Sequence, residues 1–506
     1  MFASISSAVL FGAEGNRVTV EVHVGKGLPA FHLVGLPDES IRESRDRVRA
    51  AVSTSDFEWP DTKITVNLAP SPHRKTGSGL DLAIAVGVLV AAGDLPTNSV
   101  AGLGFIGEVG LDGSVRAVPG VAPMVGALGD ADVVVPVDNA REARVAASGR
   151  VRLVSTLREL ASVLLGDSPW PEFALGEPDD PPALIADLAD VRGQPLARHA
   201  VEIAAAGGHH TLFVGPPGSG KTMLAARLPG LLPDLDRAGA LESTMVHSAA
   251  GELLPPGGLV TRPPFRAPHH TSSMVALVGG GSHSLRPGEI SLAHRGVLFL
   301  DEIGEFAPAV LDGLRQPLEE GVIRVARANS HAVLPADFML AAAMNPCPCG
   351  GGPPGECRCD GAALRRYARR LSGPLLDRFD LRVPVHRPAV DDLVSGEPGE
   401  PTVAVAERVR AARALALDRQ GVLNARLVPR ALDELAPLDS AASAELRRRI
   451  ELDQLSGRGY HRVRRVARTI ADLADAGRST ISADDVALAL QMRKTFTRRA
   501  RSSHVA

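Results

Sequence analysis

Aromatic residues are scarce in this sequence, at 3%. Base stacking on exposed rings is therefore disfavoured as a main mode of nucleic-acid contact, which leaves backbone charge contacts. Cysteine is rarer still. All four copies, Cys347, Cys349, Cys357 and Cys359, fall in one short segment, which excludes a disulfide framework and is the pattern of a metal site in a reducing compartment. No apolar run is long enough to span a bilayer, and Met1-Phe2-Ala3-Ser4 lacks the basic-then-apolar layout of a secretion signal. A cytoplasmic protein with no membrane partner is expected. Neither sign of charge dominates: 55 Lys and Arg stand against 58 Asp and Glu, for a net charge of −3. Any surface for a polyanion must be local.

At 506 residues the chain exceeds what one core organises, so two or three domains are expected. Residues 1–166 alternate β-type runs (18–24, 64–68, 133–135) with a small-residue helical pattern at 80–92, which reads as an α/β domain. A Pro-rich acidic linker follows at 167–182. Residues 183–390 interleave strand-like runs (212–214, 297–300, 339–343) with helical ones, as a parallel sheet with crossover helices requires. After a hinge at 391–401, apolar residues at helical spacing (403–417, 441–455, 462–476, 483–491) predict a helical lid over 402–492, ending in a basic tail at 493–506.

The chemistry concentrates in the middle domain. Leu212-Phe213-Val214 runs into Gly215-Pro216-Pro217-Gly218-Ser219-Gly220-Lys221-Thr222 and then a helical stretch at 223–228. That is the strand–loop–helix context of a phosphate-binding loop. Its glycines let successive N–H groups face the phosphates of ATP, Lys221 reaches the β- and γ-phosphates, and the Thr222 hydroxyl ligates Mg2+. Val297-Leu298-Phe299-Leu300-Asp301-Glu302 delivers two carboxylates to the same sheet edge. Asp301 is placed to hold the magnesium and Glu302 to polarise the attacking water. A further apolar strand at 339–344 ends on Asn345, a candidate contact for the γ-phosphate or that water. Arg378, between Asp377 and Asp380, reads on its own as a surface salt bridge.

Together these residues resemble the AAA+ ATPases of the magnesium-chelatase/MCM branch, and among them the YifB/ComM Mg chelatase-like proteins. The likeness extends to Phe265-Arg266-Ala267-Pro268-His269-His270, Pro287-Gly288-Glu289-Ile290-Ser291, Arg315-Gln316-Pro317-Leu318-Glu319 and Val466-Ala467-Arg468-Thr469-Ile470-Ala471. It implies a P-loop AAA+ parallel-sheet core with Lys221 and Thr222 as Walker A, Asp301 and Glu302 as Walker B, and Asn345 as sensor 1. Arg378 then becomes an arginine finger acting in a neighbouring subunit, which implies a homo-oligomeric ring, a hexamer. Arg458, in Ser456-Gly457-Arg458, matches sensor 2 best, with Arg462 and Arg465 as rivals. The role implied is an ATP-driven DNA translocase or helicase promoting branch migration in recombination or transformation, with single-stranded or branched DNA as partner. The alternative is an ATP-driven protein-remodelling motor of a metal-chelatase-like complex.

The N-terminal domain looks like the Lon-protease fold (ribosomal S5 domain 2-like), on Lys75-Thr76-Gly77-Ser78-Gly79 and the stretch 107–120. In that alignment the nucleophilic serine falls on Gly79 and the catalytic lysine on Ala122. Neither can do the chemistry, and Ser78 has no lysine at the second position to activate it. A protease-like scaffold for DNA or subunit contacts is expected.

The two Cys-x-Cys pairs supply four thiolates, a closed tetrahedral set for a structural Zn2+. His269 and His270 are adjacent on an extended segment, so their side chains are expected to point apart and not to share an ion. Arg324 and Arg327 in a hairpin at 321–328, with an insert at 282–286, are the candidate DNA contacts. Arg447, Arg448, Arg449 and the basic tail read as solvated surface.

Overall fold

Strands Phe2–Phe11 and Glu14–Gly25 fold back on each other with Phe11 opposite Glu14. The two-residue turn between them holds because Gly12 takes φ +65°, a left-handed conformation that tight hairpins need and side chains resist. This hairpin forms the middle of a seven-stranded mixed sheet ordered Ala30–Val34, Lys63–Ala69, Glu14–Gly25, Phe2–Phe11, Leu103–Phe105, Asp132–Pro136, Val151–Val154. Helix Asp81–Ala92 is apolar all round and buried along nearly its whole length against the central hairpin. Its approach depends on Gly87, where a Cβ would meet Val22 Cγ2 at 2.6 Å. The computed structural model describes residues 1–70, 75–173, 186–281, 285–327, 330–351, 357–394, 396–475 and 477–493. Most of the Pro-rich linker, residues 282–284 of the insert, Ala328 and the tail beyond Arg493 lie outside them.

The second sheet has five strands, all parallel, ordered Phe265–Arg266, Val297–Leu300, Met339–Met344, Thr211–Val214, Leu381–Pro384. Both faces are covered, so the inner strands are continuous apolar runs and not alternating ones. Because every strand runs the same way, all their C-terminal ends emerge on one edge, where ligands of open α/β sheets bind. The helix after the P-loop is shorter than its apolar pattern suggests. It spans Lys221–Ala225, and a separate turn, Leu228–Leu231, begins around Pro229, which has no N–H to continue the ladder.

The lid comprises helices Thr402–Gln420, Ser440–Glu451, Gly457–Ala474 and Ala483–Gln491. Ser440–Glu451 stops short of the expected residue 455, and Asp453 just beyond takes φ +53°. Among the described residues no helix is long and apolar enough to cross a membrane.

The two sheet domains meet where helix Val121–Leu128 packs on helix Arg237–Ala250. There the Ala122 N–H donates to Glu142 Oε1 (3.0 Å) and to Ser248 Oγ (3.3 Å), and the Ser248 hydroxyl donates to Glu142 in turn. Lys75, the lysine nearest Ser78 in sequence, is buried and donates to the Pro70 carbonyl, and burial pulls its ammonium below the usual lysine range.

Candidate nucleotide site

The P-loop strand lies between the strands that deliver Asn345 and Leu381, with Val214 level with Met344 and Pro384. Glycine is required where the loop leaves the sheet: a Cβ on Gly215 would sit 2.0 Å from the Val385 carbonyl oxygen. Gly218 and Gly220 take φ +73° and +84°, turning the chain so that it enters the helix at Lys221. Lys221 is buried. Its ammonium donates to Gly215 O (2.8 Å), Pro216 O (2.9 Å) and Asn345 Oδ1 (3.2 Å). Burial pulls its pKa down, opposed by the charges of Asp301 and Glu302.

Asp301 accepts from the Thr222 hydroxyl on Oδ2 (2.7 Å) and from the Glu302 N–H on Oδ1 (2.9 Å). The pair predicted to hold magnesium is thus in contact before any ion is considered. Glu302 takes φ +47°, ψ +47°, a left-handed backbone that costs a non-glycine residue about 1–2 kcal/mol. Such strain persists where the aim of the side chain matters.

These residues line a cleft of about 820 Å³ with Pro217, Met223, Phe265, Ala267, Pro268, His269, His270 and Phe299. Its chemistry fits a magnesium-bound nucleoside triphosphate. The loop presents N–H groups and a lysine, the far wall two carboxylates, and the buried Ser219 Oγ at the heart of the loop has no hydrogen-bond partner among the described residues. Thr222 and Asp301 would hold Mg2+, which would neutralise charge on the phosphate oxygens.

One residue that braces the loop carries no sequence signal, and two that line the cleft are placed otherwise than their spacing suggests. Gln194, at φ +54°, donates through Nε2 to Ser219 O (2.8 Å) and braces the loop from the start of helix Pro195–Gly207. No local signal marks it, because the two segments meet only in the fold. His269 and His270 were expected to diverge. Instead their rings lie 4.1 Å apart, tilted by 34°, because the chain turns here (Ser272 N–H to His269 O, 2.9 Å) and is not extended.

Arg378 lies apart, outside the residues lining the cleft. Its guanidinium donates to Pro374 O (2.7 Å) and pairs with Glu319. The backbone around it is clamped from the C-terminal region: Arg462 of the lid donates to Arg378 O (3.1 Å) and Asp380 Oδ1 (2.5 Å), and Arg493, the first residue of the tail expected to be solvated, is instead engaged, donating to Phe379 O (2.6 Å) and Asp380 O (3.0 Å). Burial pushes the Asp380 carboxyl up, but the hydrogen bond to His209 (3.2 Å) and the charge of Arg462 outweigh it and hold it well below the usual range. Arg462 is therefore engaged with this segment, and burial depresses its neighbour Arg465. Arg458 sits exposed in the first turn of Gly457–Ala474, and it too is absent from the cleft lining.

The four cysteines come together, with all four sulfur atoms within 4.8 Å of one another. Cys347 Sγ lies 3.3 Å from Cys349 and 3.6 Å from Cys357. Sulfurs around a tetrahedral zinc at 2.3 Å stand about 3.8 Å apart, so the donor set suits that ion. Backbone N–H groups, first that of Gly351, pull the Cys349 thiol down to about 6, while burial pushes Cys347 up to about 12. The predicted hairpin is also present: Val322–Arg327 pairs with Ser330–Pro335, and Arg324 stands exposed beside Glu320.

Three family models match along the chain: "Magnesium chelatase, subunit ChlI" over residues 187–393, "Subunit ChlI of Mg-chelatase" over 20–139, and "Magnesium chelatase, subunit ChlI C-terminal" over 399–493. An uncharacterised protein of Mycobacterium tuberculosis is 48% identical over 500 residues, 97% of this chain and 99% of its own. The competence protein ComM of Haemophilus influenzae is 41% identical over 481 residues, 93% of this chain and 94% of its own. The uncharacterised protein YifB of Escherichia coli is 41% identical over 476 residues, 93% of each chain. With a parallel-sheet core, a P-loop cleft and a helical lid in place, the chain belongs to the YifB/ComM family of Mg chelatase-like AAA+ ATPases.

Proposed function

We propose that this protein is an ATP-driven DNA translocase working as a ring, a hexamer, on single-stranded or branched DNA. The observation that carries the ring is the place of Arg378. The cleft supplies Lys221, Asp301, Glu302 and Asn345, whereas Arg378 lies outside it on a segment pinned by Arg462 of the lid and by Arg493. A cation is needed where charge gathers on the γ-phosphoryl oxygens. Arg378 would serve that need in a neighbouring subunit, with Arg458 as sensor 2 supplied by the lid of the same chain. Glu302 would polarise the water and Asn345 orient it.

DNA as the partner is supported by the exposed Arg324 on its hairpin and by a relative named as a competence protein. Zn2+ held by Cys347, Cys349, Cys357 and Cys359 would stiffen the loop between Asn345 and Arg378. The test is the ATPase rate with and without single-stranded, duplex and four-way-junction DNA. Stimulation is expected. The second reading, a motor that remodels a protein partner in a metal-chelatase-like complex, is favoured by the three magnesium chelatase models, and indifference to all three DNAs would select it.

A further inference from the structure

The histidine pair stands where the chemistry of the cleft would use it. Strand Phe265–Arg266 runs parallel to Val297–Leu300 with Arg266 level with Leu298. Asp301 and Glu302 follow Leu298 by three and four residues, and His269 and His270 follow Arg266 by the same count. Parallel neighbours thus bring the two carboxylates and the two imidazoles to the same sheet edge, and all four line the nucleotide cleft. Arg266 is fixed at the base of this segment by Glu289 (2.7 and 2.9 Å). His270 lies against His269 with the rings tilted by 34° and meets the Phe306 ring edge-on, with centroids 6.5 Å apart.

The proton position on His269 follows from its neighbours. Its Nδ1 lies 2.8 Å from Thr271 Oγ1 and accepts from the Thr271 N–H at 3.4 Å. A backbone N–H only donates, so in the neutral ring the proton sits on Nε2. A protonated ring carries a proton there as well. In both states Nε2 is a donor, and it has no partner among the described residues. An exposed donor held by a local turn, on the wall that also carries Asp301 and Glu302, suits an anion in the cleft.

We propose that His269 is a catalytic residue, donating from Nε2 to the terminal phosphate of bound ATP from the side of the Asp301 strand. The proposal rests on the ATPase reading of the cleft and adds a phosphate contact outside the P-loop. A contact made to the third phosphate alone distinguishes ATP from ADP, and it strengthens as charge builds on that group during transfer.

The experiment compares His269→Gln, His269→Asn and His269→Ala in the full chain, measuring steady-state ATPase and equilibrium binding of ATPγS and ADP with Mg2+. The Gln amide places an N–H near the position of Nε2, whereas Asn reaches only that of Nδ1. Asn and Ala should lower kcat by about tenfold or more and weaken ATPγS severalfold, with ADP affinity within about twofold of wild type. Gln should keep most of both. Unchanged ADP binding also certifies that the cleft is folded. The proposal is overturned if Asn performs as well as Gln, if ATPγS and ADP weaken together, or if nothing changes. Lys221→Ala, run in parallel, separates the two levels: wild-type ATPγS affinity in that variant would remove the nucleotide site itself. A normal loss there, beside an indifferent His269, would remove only the histidine.

Discussion

The described residues form two large sheets, and one helix N-terminus from the domain of each makes an instructive pair. In the N-terminal sheet domain, the N–H at Ala122 is satisfied inside the protein by Glu142 and by Ser248 from the ATPase domain. In the ATPase domain, the loop before Lys221 turns on Gly218 and Gly220 at positive φ, buries a Ser219 hydroxyl without a partner among the described residues, and turns its lysine onto its own carbonyls. One helix start forms a domain joint, while the other faces the cleft whose chemistry fits a nucleotide. The two helix starts differ in whether a neighbouring domain satisfies the N–H groups or the loop leaves them facing a cleft, and that difference separates a joint from a candidate site more sharply than fold resemblance does.

The sharpest way to break this contrast is to disable each region in turn. Lys221→Ala should abolish measurable ATP binding, and Glu302→Gln should bind ATP yet lose about 10²–10³-fold in turnover, because the amide keeps the shape without the charge. Ser78→Ala should leave the ATPase rate within about twofold of wild type. A steady-state assay of the three settles it, and an ATPase loss in Ser78→Ala would restore chemistry to the N-terminal domain.

Next in size is Arg378→Ala, which should bind ATP but hydrolyse it poorly alone. Mixed with excess Glu302→Gln subunits it should regain activity, since an intact Arg378 would then face an intact Glu302 across the interface. No recovery in rings shown to be mixed would confine Arg378 to its contact with Glu319.

The cysteine cluster should yield about one zinc per chain by elemental analysis of protein purified without chelator, released on acidification as the thiolates protonate. Cys357→Ser should lower both zinc content and hydrolysis with little change in far-UV circular dichroism. Four freely titrating thiols and no metal would end the zinc reading.

The smallest effect concerns His210, whose Nδ1 accepts from the Leu340 N–H (3.0 Å) in strand Met339–Met344. Burial pulls His210 down from its usual value to about 4. An unfolded chain therefore binds this proton more readily between about pH 6.5 and 4. Stability contributed by the neutral ring is full above that window and declines as pH falls through it. His210→Gln should flatten the pH dependence of the thermal midpoint across this range, and an unchanged slope would assign it to other groups.

The inner strands of the ATPase sheet were legible because burial on both faces makes them unbroken apolar runs, as at Val297–Leu300. The strand–loop–helix at 211–225 was legible because a phosphate-binding loop wraps its ligand with consecutive N–H groups, so its residues are contiguous in sequence. Sequence alone went wrong at His269 and His270, where a period-two rule was applied to a segment that turns. It was silent on Gln194, whose left-handed backbone and reach to Ser219 exist only once its helix has docked.

By itself, then, the sequence determined the α/β class with its parallel-sheet core and helical C-terminal region, the strand–loop–helix at 215–222, the acidic strand end and the clustering of the thiols, all of which local spacing encodes. Tertiary structure alone decided that Arg462 and Arg493 grip the Arg378–Asp380 backbone, that Ser248 of one domain caps Ala122 of the other, and that two histidines join two carboxylates on one wall. Those contacts join residues tens to more than a hundred positions apart. Parallel strand register and helix docking set them, and no pattern of neighbouring residues records either.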